Sequence, residues 1–379
     1  MRVLITGANG FIGKNLRQHL AERPEVEVLT ITRTSSDDEL TQAVSQAEFV
    51  FHLAGVNRPE DPEEFQRGNA GLTSRLCEQV ASQARDTGRK IPVVLSSSIQ
   101  AERDNPYGKS KRDAEDAVFA LSKECAVPVH VFRLPNVFGK WSRPNYNSVV
   151  ATFCHNIAQD LPIKVNDPSA PLTLVYVDDV VRRFLQLLDG VSLAATPEGF
   201  EQVQPEYATT VGALAQTIRG FRESRRSLVT DRVGAGLTRA LHSTYLSFLR
   251  PEQFSYTVPQ HGDARGVFVE MLKTPDSGQF SFFTAHPGIT RGGHYHHSKT
   301  EKFLVIKGEA CFRFRHMLTD EFYELFTSGE SPEIVETVPG WTHDITNVGE
   351  TELICMLWAN EIFDRENPDT FACPVGTNA

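Results

Sequence analysis

The chain has no C-x-x-C pair: its six cysteines, Cys77, Cys125, Cys154, Cys311, Cys355 and Cys373, are scattered over 379 residues. Most lie in apolar context, which reads as reduced, buried thiols rather than a disulfide framework. No apolar run approaches the roughly 18 residues of a membrane span, and a glycine turn follows Met1-Arg2-Val3-Leu4-Ile5 too soon to leave room for a signal peptide. No block of basic residues occurs, and the net charge of -10 argues against nucleic acid or an anionic membrane as partner. An anionic ligand must therefore be held by local dipoles and a few Arg or Lys side chains. Together these absences read as a soluble, cytoplasmic protein. Its length exceeds the size at which one core stops growing, so about two domains are expected.

What is present falls into two halves of different periodicity. Arg2 to Thr6 is a short apolar strand, Gly7-Ala8-Asn9-Gly10-Phe11-Ile12-Gly13 follows at once, and Lys14 to Glu22 has helical spacing, with Leu16 and Leu20 on one face. Gly7 suits a tight turn, Gly10 lets backbone amides approach a pyrophosphate, and Gly13 permits close helix-to-strand packing. Val26–Thr32, Phe49–Leu53, Val93–Ser97 and Val129–Leu134 are further apolar strands separated by helical stretches. This predicts a doubly wound parallel (Rossmann) sheet of the α/β class. The second strand ends at Arg33, where an acid would bind a ribose 2′-hydroxyl and a base would accept a 2′-phosphate, so NADPH is favoured over NADH. Asp37 and Asp38 come too late in the chain for that role.

Ser96-Ser97-Ser98 closes a buried strand, and Tyr107 and Lys111 follow at i and i+4, on one face of a helix. An ammonium there lowers the phenol's pKa, so the tyrosine can protonate a carbonyl oxygen as hydride arrives, while a serine hydroxyl polarises the same oxygen. With this order of elements, residues 1 to about 245 resemble an extended short-chain dehydrogenase/reductase of the kind that modifies nucleotide sugars. His52-Leu53-Ala54-Gly55, Arg133-Leu134-Pro135-Asn136-Val137-Phe138-Gly139 and Tyr176-Val177-Asp178-Asp179-Val180 support the likeness. The resemblance implies Ser98, Tyr107 and Lys111 as the catalytic set, with Ser97 the runner-up serine. It implies a nicotinamide cofactor held by Gly7, Asn9, Gly10, Phe11, Ile12, Gly13, Arg33, Ala54, Gly55, Tyr107 and Lys111, and a nucleotide sugar touching Asn136.

From about residue 246 the helical spacing gives way to short alternating runs punctuated by Gly and Pro. These are Val267–Leu272, Gln279–Thr284, Glu301–Ile306, Ala310–Arg315, Ile334–Val338 and Glu352–Trp358. They predict a small all-β jelly-roll barrel over residues 256–379, joined to the reductase domain (residues 1–245) by a linker at 246–255. On a strand His294 and His296 point one way and His297 the other, so His294, His296, Glu301 and His343 can converge on one ion. Three nitrogens and a carboxylate suit Zn²⁺, Fe²⁺, Mn²⁺ or Ni²⁺, with zinc favoured. The arrangement resembles the two motifs of the cupin family.

Asp263 to Glu270 and Thr290 to Tyr295 are similar to segments of the cupin-fold 3,5-epimerases that act on nucleotide-linked 4-keto-6-deoxyhexoses. In those enzymes the histidine matching His294 is a base and no metal is used; here the additional ligands His296 and Glu301 favour a ligand role. The group that would take the proton stays open among His297, Lys299 and Tyr295. Along essentially the whole chain, the fusion of such a reductase to a cupin resembles the bifunctional capsular and O-antigen enzymes of the CapF/WbjC type. That resemblance implies C3 epimerisation of UDP-2-acetamido-2,6-dideoxy-β-L-arabino-hexos-4-ulose in the cupin, then NADPH-dependent C4 reduction to UDP-N-acetyl-6-deoxy-L-talosamine, on the route to UDP-N-acetyl-L-fucosamine. It also implies a UDP-linked 4-keto-6-deoxy-N-acetylhexosamine as partner and a homo-oligomer. The alternative keeps the reductase and makes the metal cupin a structural or dimerising module.

Overall fold

The computed structural model describes residues 1–191, 195–196, 198–258, 260–263, 266–269, 272, 278–361 and 366–376, with backbone alone at 260–263, 266–269, 279 and 281. Two compact units emerge, Met1–Ser148 with Leu172–Ala208, and Val149–Pro171 with Thr209–Ala379.

The first unit is built on β1 (Arg2–Thr6), β2 (Glu27–Ile31), β3 (Phe49–His52), β4 (Val93–Ser98) and β5 (Val129–Leu134), with the short β6 (Asn136–Phe138) and β7 (Pro171–Tyr176) alongside and β8 (Phe200–Glu201) at an edge. The main sheet runs β2-β1-β3-β4-β5-β8 and is parallel throughout. Alternation along the strands sends side chains into two cores. Leu4, Val50, Val93, Leu95 and Val131 enter one, and Val3, Ile5, Phe49, Phe51, Val94 and Phe132 the other. A sheet covered on both faces reads as unbroken apolar runs, which is why these strands stand out in the sequence. Strand order reverses between β1 and β3, and in such sheets the ligand crevice lies outside the carboxyl ends at that point. Gly7–Gly13 follows β1 there and Leu53–Asn57 follows β3.

Helix Phe11–Ala21 begins at Gly10, which provides no side-chain cap, so its first amides stay open to an anion. Gly7 has φ +70° and sits against the Ala54 backbone, where an added Cβ would meet the amide nitrogen at 2.6 Å. Helix Pro106–Cys125 is started by Asn105, whose side chain accepts from Gly108 N at 2.8 Å, and by Pro106 in its first turn. That cap fixes the phase of the helix and with it the bearing of Tyr107 and Lys111.

The second unit holds a barrel of two five-stranded antiparallel sheets. One orders Ser255–Thr257, Glu333–Glu336, Glu301–Lys307, Leu353–Ala359 and Gln279–Ala285; the other orders Phe322–Ser328, Glu309–His316, Trp341–Asn347, Thr290–Tyr295 and Phe371–Ala372. Phe254, fully buried, packs edge-on against Phe314 and Trp341 in the barrel interior. Helices Val149–Ala158, Val211–Ser227 and Gly236–Leu246 group with this barrel. They are bound to it by Arg225, which pairs with Glu336 and donates to the Gln253 carbonyl. Burial would raise the Glu336 carboxyl, but Arg225 and Lys302 hold it down to about 2.

The linker expected at 246–255 is therefore not an independent tether. It contains the helix end at Leu246, a 3₁₀ turn at Pro251–Gln253 and the start of a barrel strand, with Leu246, Leu249 and Phe254 buried. The compact units likewise divide the chain at 148/149, 171/172 and 208/209 rather than near 246, because helical spacing carries no sign of which core a helix joins. Of the segment Asp263 to Glu270, residues 264, 265 and 270 lie outside the described residues.

Gly13 has the tightest steric constraint of the phosphate loop, since a Cβ there would collide with Gly7 O and lie 2.9 Å from Ala8 Cα. Gly13→Ala is expected to destabilise the first unit by about 1–3 kcal/mol, read as a lower midpoint in urea unfolding.

Candidate active sites

A cleft of about 520 Å³ opens at the carboxyl ends of β1, β3 and β4. Asn9, Gly10, Phe11, Ile12, Gly13 and Gly55 line it, as do Ser98, Tyr107, Lys111 and Asn136. Gly7 and Ala54 shape the turn beneath from behind. Arg33 stands apart, its side chain 86% exposed and 3.6 Å from Glu64. Asn136 donates to the Thr173 carbonyl at 3.1 Å, which ties β6 to β7 on the cleft wall.

The serines separate by partner. Ser97 is buried and its hydroxyl donates to Glu115 at 2.5 Å; Arg133 grips the same carboxylate, with its Nη2 at 2.7 Å. It belongs to a buried network beneath the site. The Ser98 hydroxyl faces the cleft, is hydrogen-bonded to Tyr107, and accepts from Gln100 N at 3.2 Å. Burial holds the Tyr107 phenol above its ordinary range, against the lowering effect of Ser98. Lys111 is buried and donates to the Ser96 carbonyl at 2.8 Å; burial lowers its pKa to about 8, against the attraction of Glu115. The cleft thus holds a neutral phenol hydrogen-bonded to a serine hydroxyl, with a buried ammonium one helical turn along, the parts needed to deliver a proton to a carbonyl oxygen. The lowering of the phenol by Lys111 expected from the sequence does not accompany them.

Beneath it, His52 bridges Thr6 at 2.6 Å and Thr73 at 2.8 Å, and burial first, then Lys111, lowers its pKa to about 3. A neutral His52 thus joins β1, β3 and helix Leu72–Thr87. The π-helical turn Gln66–Gly71 carries Asn69, which holds Val56 by both its N–H and its carbonyl and donates to Ser110 at 3.0 Å. Phe65 meets the Tyr107 ring at 5.5 Å. Sequence reasoning did not single out Asn69, Phe65, Arg143 or Tyr146. The last two line the cleft, with the Arg143 guanidinium 4.9 Å from the Tyr146 ring centre and Tyr146 close enough to Tyr107 to raise its pKa. Positive φ at Trp141 and Asn145 in the same stretch was the hidden signal, and backbone strain of this kind gathers at ligand sites.

In the barrel, one ligand atom from each of His294, His296, Glu301 and His343 lies within 4.8 Å of the others. Their convergence does not come from simple strand alternation, because the strand Thr290–Tyr295 ends before His296. Gly292 and Gly293, at φ +95° and +72°, form a bulge that sets His294 directly across from His343 on Trp341–Asn347. His296 follows in the turn and its Nδ1 donates to the Asp369 carbonyl at 2.7 Å, leaving Nε2 3.1 Å from Glu301. Burial would raise Glu301, but His296 and His343 hold it well below the carboxylate range. Burial, with the neighbouring His343 and His296, lowers His294 to about 3. The buried His343 Nε2 lies 3.6 Å from Glu301. Three imidazoles around an ionised carboxylate suit a divalent cation. Of the residues considered for proton removal, Lys299 donates to Thr370 at 2.5 Å and the Tyr295 and His297 rings pack on Phe371.

Comparison with known proteins accords with both halves. Residues 3–201 match the NAD dependent epimerase/dehydratase family, and residues 261–371 match the polysaccharide biosynthesis C-terminal domain. The chain is 64% identical, over 100% of both lengths, to UDP-2-acetamido-2,6-beta-L-arabino-hexul-4-ose reductase of Pseudomonas aeruginosa. The crystal structure of the capsular polysaccharide assembling protein CapF from Staphylococcus aureus matches at TM-score 0.67 and 40% identity, covering 99% of this chain and 100% of that one. A second CapF structure, with the inhibitor 3-isopropenyl-tropolone, matches at TM-score 0.63 and 36% identity over 99% and 100%.

Ser98→Ala is expected to lower kcat for ketone reduction about 100-fold with little change in unfolding midpoint. Ser97→Ala, which strips a partner from buried Glu115, should lower stability by about 1–3 kcal/mol; kinetics and urea titration separate the two. The pH profile follows from the buried ammonium. Tyr107 remains protonated across the neutral range, whereas Lys111 loses its proton as pH rises through about 8. Reduction by the wild-type protein is therefore expected to have an alkaline limb centred near that pH, with the charged, active form below it.

Proposed function

The chain belongs to the NAD dependent epimerase/dehydratase family, in its CapF/WbjC type, where the reductase is joined to a polysaccharide biosynthesis C-terminal domain, and on that premise we propose an ordered two-step enzyme. Its barrel inverts C3 of UDP-2-acetamido-2,6-dideoxy-β-L-arabino-hexos-4-ulose, and its reductase unit then reduces C4 with NADPH to UDP-N-acetyl-6-deoxy-L-talosamine. The observation that carries the two-step reading is the pairing of a complete Ser98/Tyr107/Lys111 set with a complete His294/His296/Glu301/His343 set on one chain.

In the reductase unit, NADPH supplies hydride to C4. The open amides of helix Phe11–Ala21 would hold the cofactor's pyrophosphate, and the exposed Arg33 would answer a 2′-phosphate where a 2′-hydroxyl would ask for an acid. Tyr107 gives its proton to the C4 oxygen, Ser98 orients that oxygen, and Lys111 favours the phenolate left behind. Asn136 holds the nucleotide sugar on the cleft wall, with Tyr146 and Arg143 close by.

In the barrel, His294, His296, Glu301 and His343 would hold a divalent ion, zinc by the mixture of nitrogen and carboxylate donors, which as a Lewis acid eases loss of the C3 proton beside the C4 carbonyl. Glu301 offsets the ion's charge, and the Asp369 carbonyl keeps His296 Nε2 free to bind. A CapF structure contains the inhibitor 3-isopropenyl-tropolone, and the adjacent oxygens of a tropolone are a chelating pair, which supports a metal in the reaction. Epimerisation has to come first, since reduction of C4 removes the acidity on which it depends.

The test uses the full chain in D₂O with the UDP-4-keto sugar. Without NADPH, NMR is expected to show deuterium entering C3; with NADPH, the C3-inverted alcohol should accumulate. His343→Ala should lose the exchange while still reducing ketone already inverted at C3, and Tyr107→Phe should retain exchange while losing reduction. Reduction without any C3 exchange in the wild type would leave the barrel a structural module.

A further inference from the structure

The segment Pro368–Val375 lies across every stretch of barrel that bears a histidine ligand. Its strand Phe371–Ala372 pairs with His294 and Tyr295. Cys373 N donates to the Gly293 carbonyl at 2.8 Å, within the bulge that aims His294. The Thr342 hydroxyl, beside His343, donates to the Cys373 carbonyl.

The densest contacts are those of Asp369. Its carbonyl accepts from His296 Nδ1 at 2.7 Å. Its carboxylate accepts from three successive amides, those of His297 at 2.9 Å, Ser298 at 2.9 Å and Lys299 at 2.7 Å, and from the Ser298 hydroxyl at 3.1 Å. Burial would raise this carboxyl, yet the charge of His297 and the three amides hold it below its ordinary range. The backbone at Asp369 is left-handed, φ +38°, a conformation that costs about 1–3 kcal/mol in a non-glycine residue and persists only where its surroundings demand it. Arg239 of helix Gly236–Leu246 closes the cluster, 3.9 Å from the Asp369 carboxylate and hydrogen-bonded to Ser298.

We infer that Asp369 is a positioning residue for the metal, holding the turn His296–Lys299 in the shape that presents His296 and Glu301 together. The physical reason is that three consecutive amides turned inward make a nest for an anion, and the turn between two ligands needs that anion inside it. With the carboxylate in place, the turn is fixed at five points and His296 has one tautomer available for binding. Without it, three buried N–H groups lose their acceptor and the turn opens, carrying His296 away from Glu301. This inference rests on the metal reading of the barrel site above; it concerns retention of the ion rather than the reaction.

The experiment measures zinc alone. Full-length wild type, Asp369→Ala, Asp369→Asn and Arg315→Ala are loaded with zinc, and the ion's release to a chromogenic chelator is followed. Arg315→Ala is the control: it cuts the segment's other anchorage, the bonds of Arg315 to the carbonyls of Pro374 and Val375 at 3.0 and 2.9 Å, and leaves the nest whole. Asp369→Ala is expected to weaken zinc binding about 10- to 100-fold, the range for groups that orient metal ligands, through faster release. Asp369→Asn, which keeps an acceptor oxygen without the charge, should fall between, and Arg315→Ala should stay within about twofold of wild type. If Asp369→Ala does not fold, the Asn variant still decides. Release from both Asp369 variants no faster than from Arg315→Ala would overturn the inference. Failure of wild type to bind zinc would instead overturn the metal reading on which it rests.

Discussion

Both sites depend on one constraint: an ionised group removed from water must find its solvation in the protein. Lys111 finds it in the Ser96 carbonyl at the end of β4 and in the field of Glu115. Glu301 finds it in His296 and His343. Ser96 lies on β4 beneath Lys111, whereas Glu301 meets His343 from a strand of the other sheet and His296 from a turn, so the position of each charge is set by tertiary contact. Desolvation without such partners would cost several kcal/mol or neutralise the group, and a neutral lysine or a protonated glutamate would leave neither site able to work. The sheets are thus built around charges as much as around apolar cores.

The same rule explains the layers beneath the reacting groups. Glu115 is shared by Ser97 and Arg133, and Arg133 also reaches Glu102 and covers the Phe200 ring at 3.9 Å. In the barrel, Lys302 points away from the ligand cluster to Tyr256 and Glu336, each at 2.7 Å. Neighbours in sequence, Glu301 and Lys302 face opposite sides of one strand and serve different centres. Alternation of side chains lets one strand carry a member of the His294/His296/Glu301/His343 cluster on one side and a buried ion pair holding helix Val211–Ser227 on the other.

How far the sequence discloses this follows from which force dominates locally. The strands of the first unit are plain from composition because both faces are apolar, and Val129–Leu134 emerges with the bounds expected of it. Ser98 was expected ahead of Ser97 only by resemblance, since the two are chemically alike; in space they differ by the face they present, Ser97 to Glu115 and Ser98 to the cleft. In the barrel the expected runs Gln279–Thr284, Glu301–Ile306 and Ala310–Arg315 fall on strands, whereas Phe322–Ser328 and Trp341–Asn347 were not expected as strands. The latter carries His343, Asp344 and Asn347, polar side chains that blur the alternation an apolar core would print. The four ligands were nonetheless legible because their chemistry is rare. What brings them together was not: two glycines in a bulge and a contact 73 residues distant in sequence between His296 and Asp369 leave no periodic trace.

This difference between ligands and what holds them bears on the order of the two reactions. A C3 proton beside a ketone is only moderately acidic, and its removal is repaid only if the oxygen's developing charge is met at once by fixed groups. A site assembled by long-range contacts meets that need, since its geometry is set by the fold before substrate arrives. The reductase unit asks less of remote contacts: Tyr107 and Lys111 are held by one helix, and its phase is fixed by the local cap at Asn105. Arg143 and Tyr146, on the stretch where Trp141 and Asn145 have positive φ, line the same cleft as Tyr107, and their place there is set by the chain's course rather than by any periodic pattern.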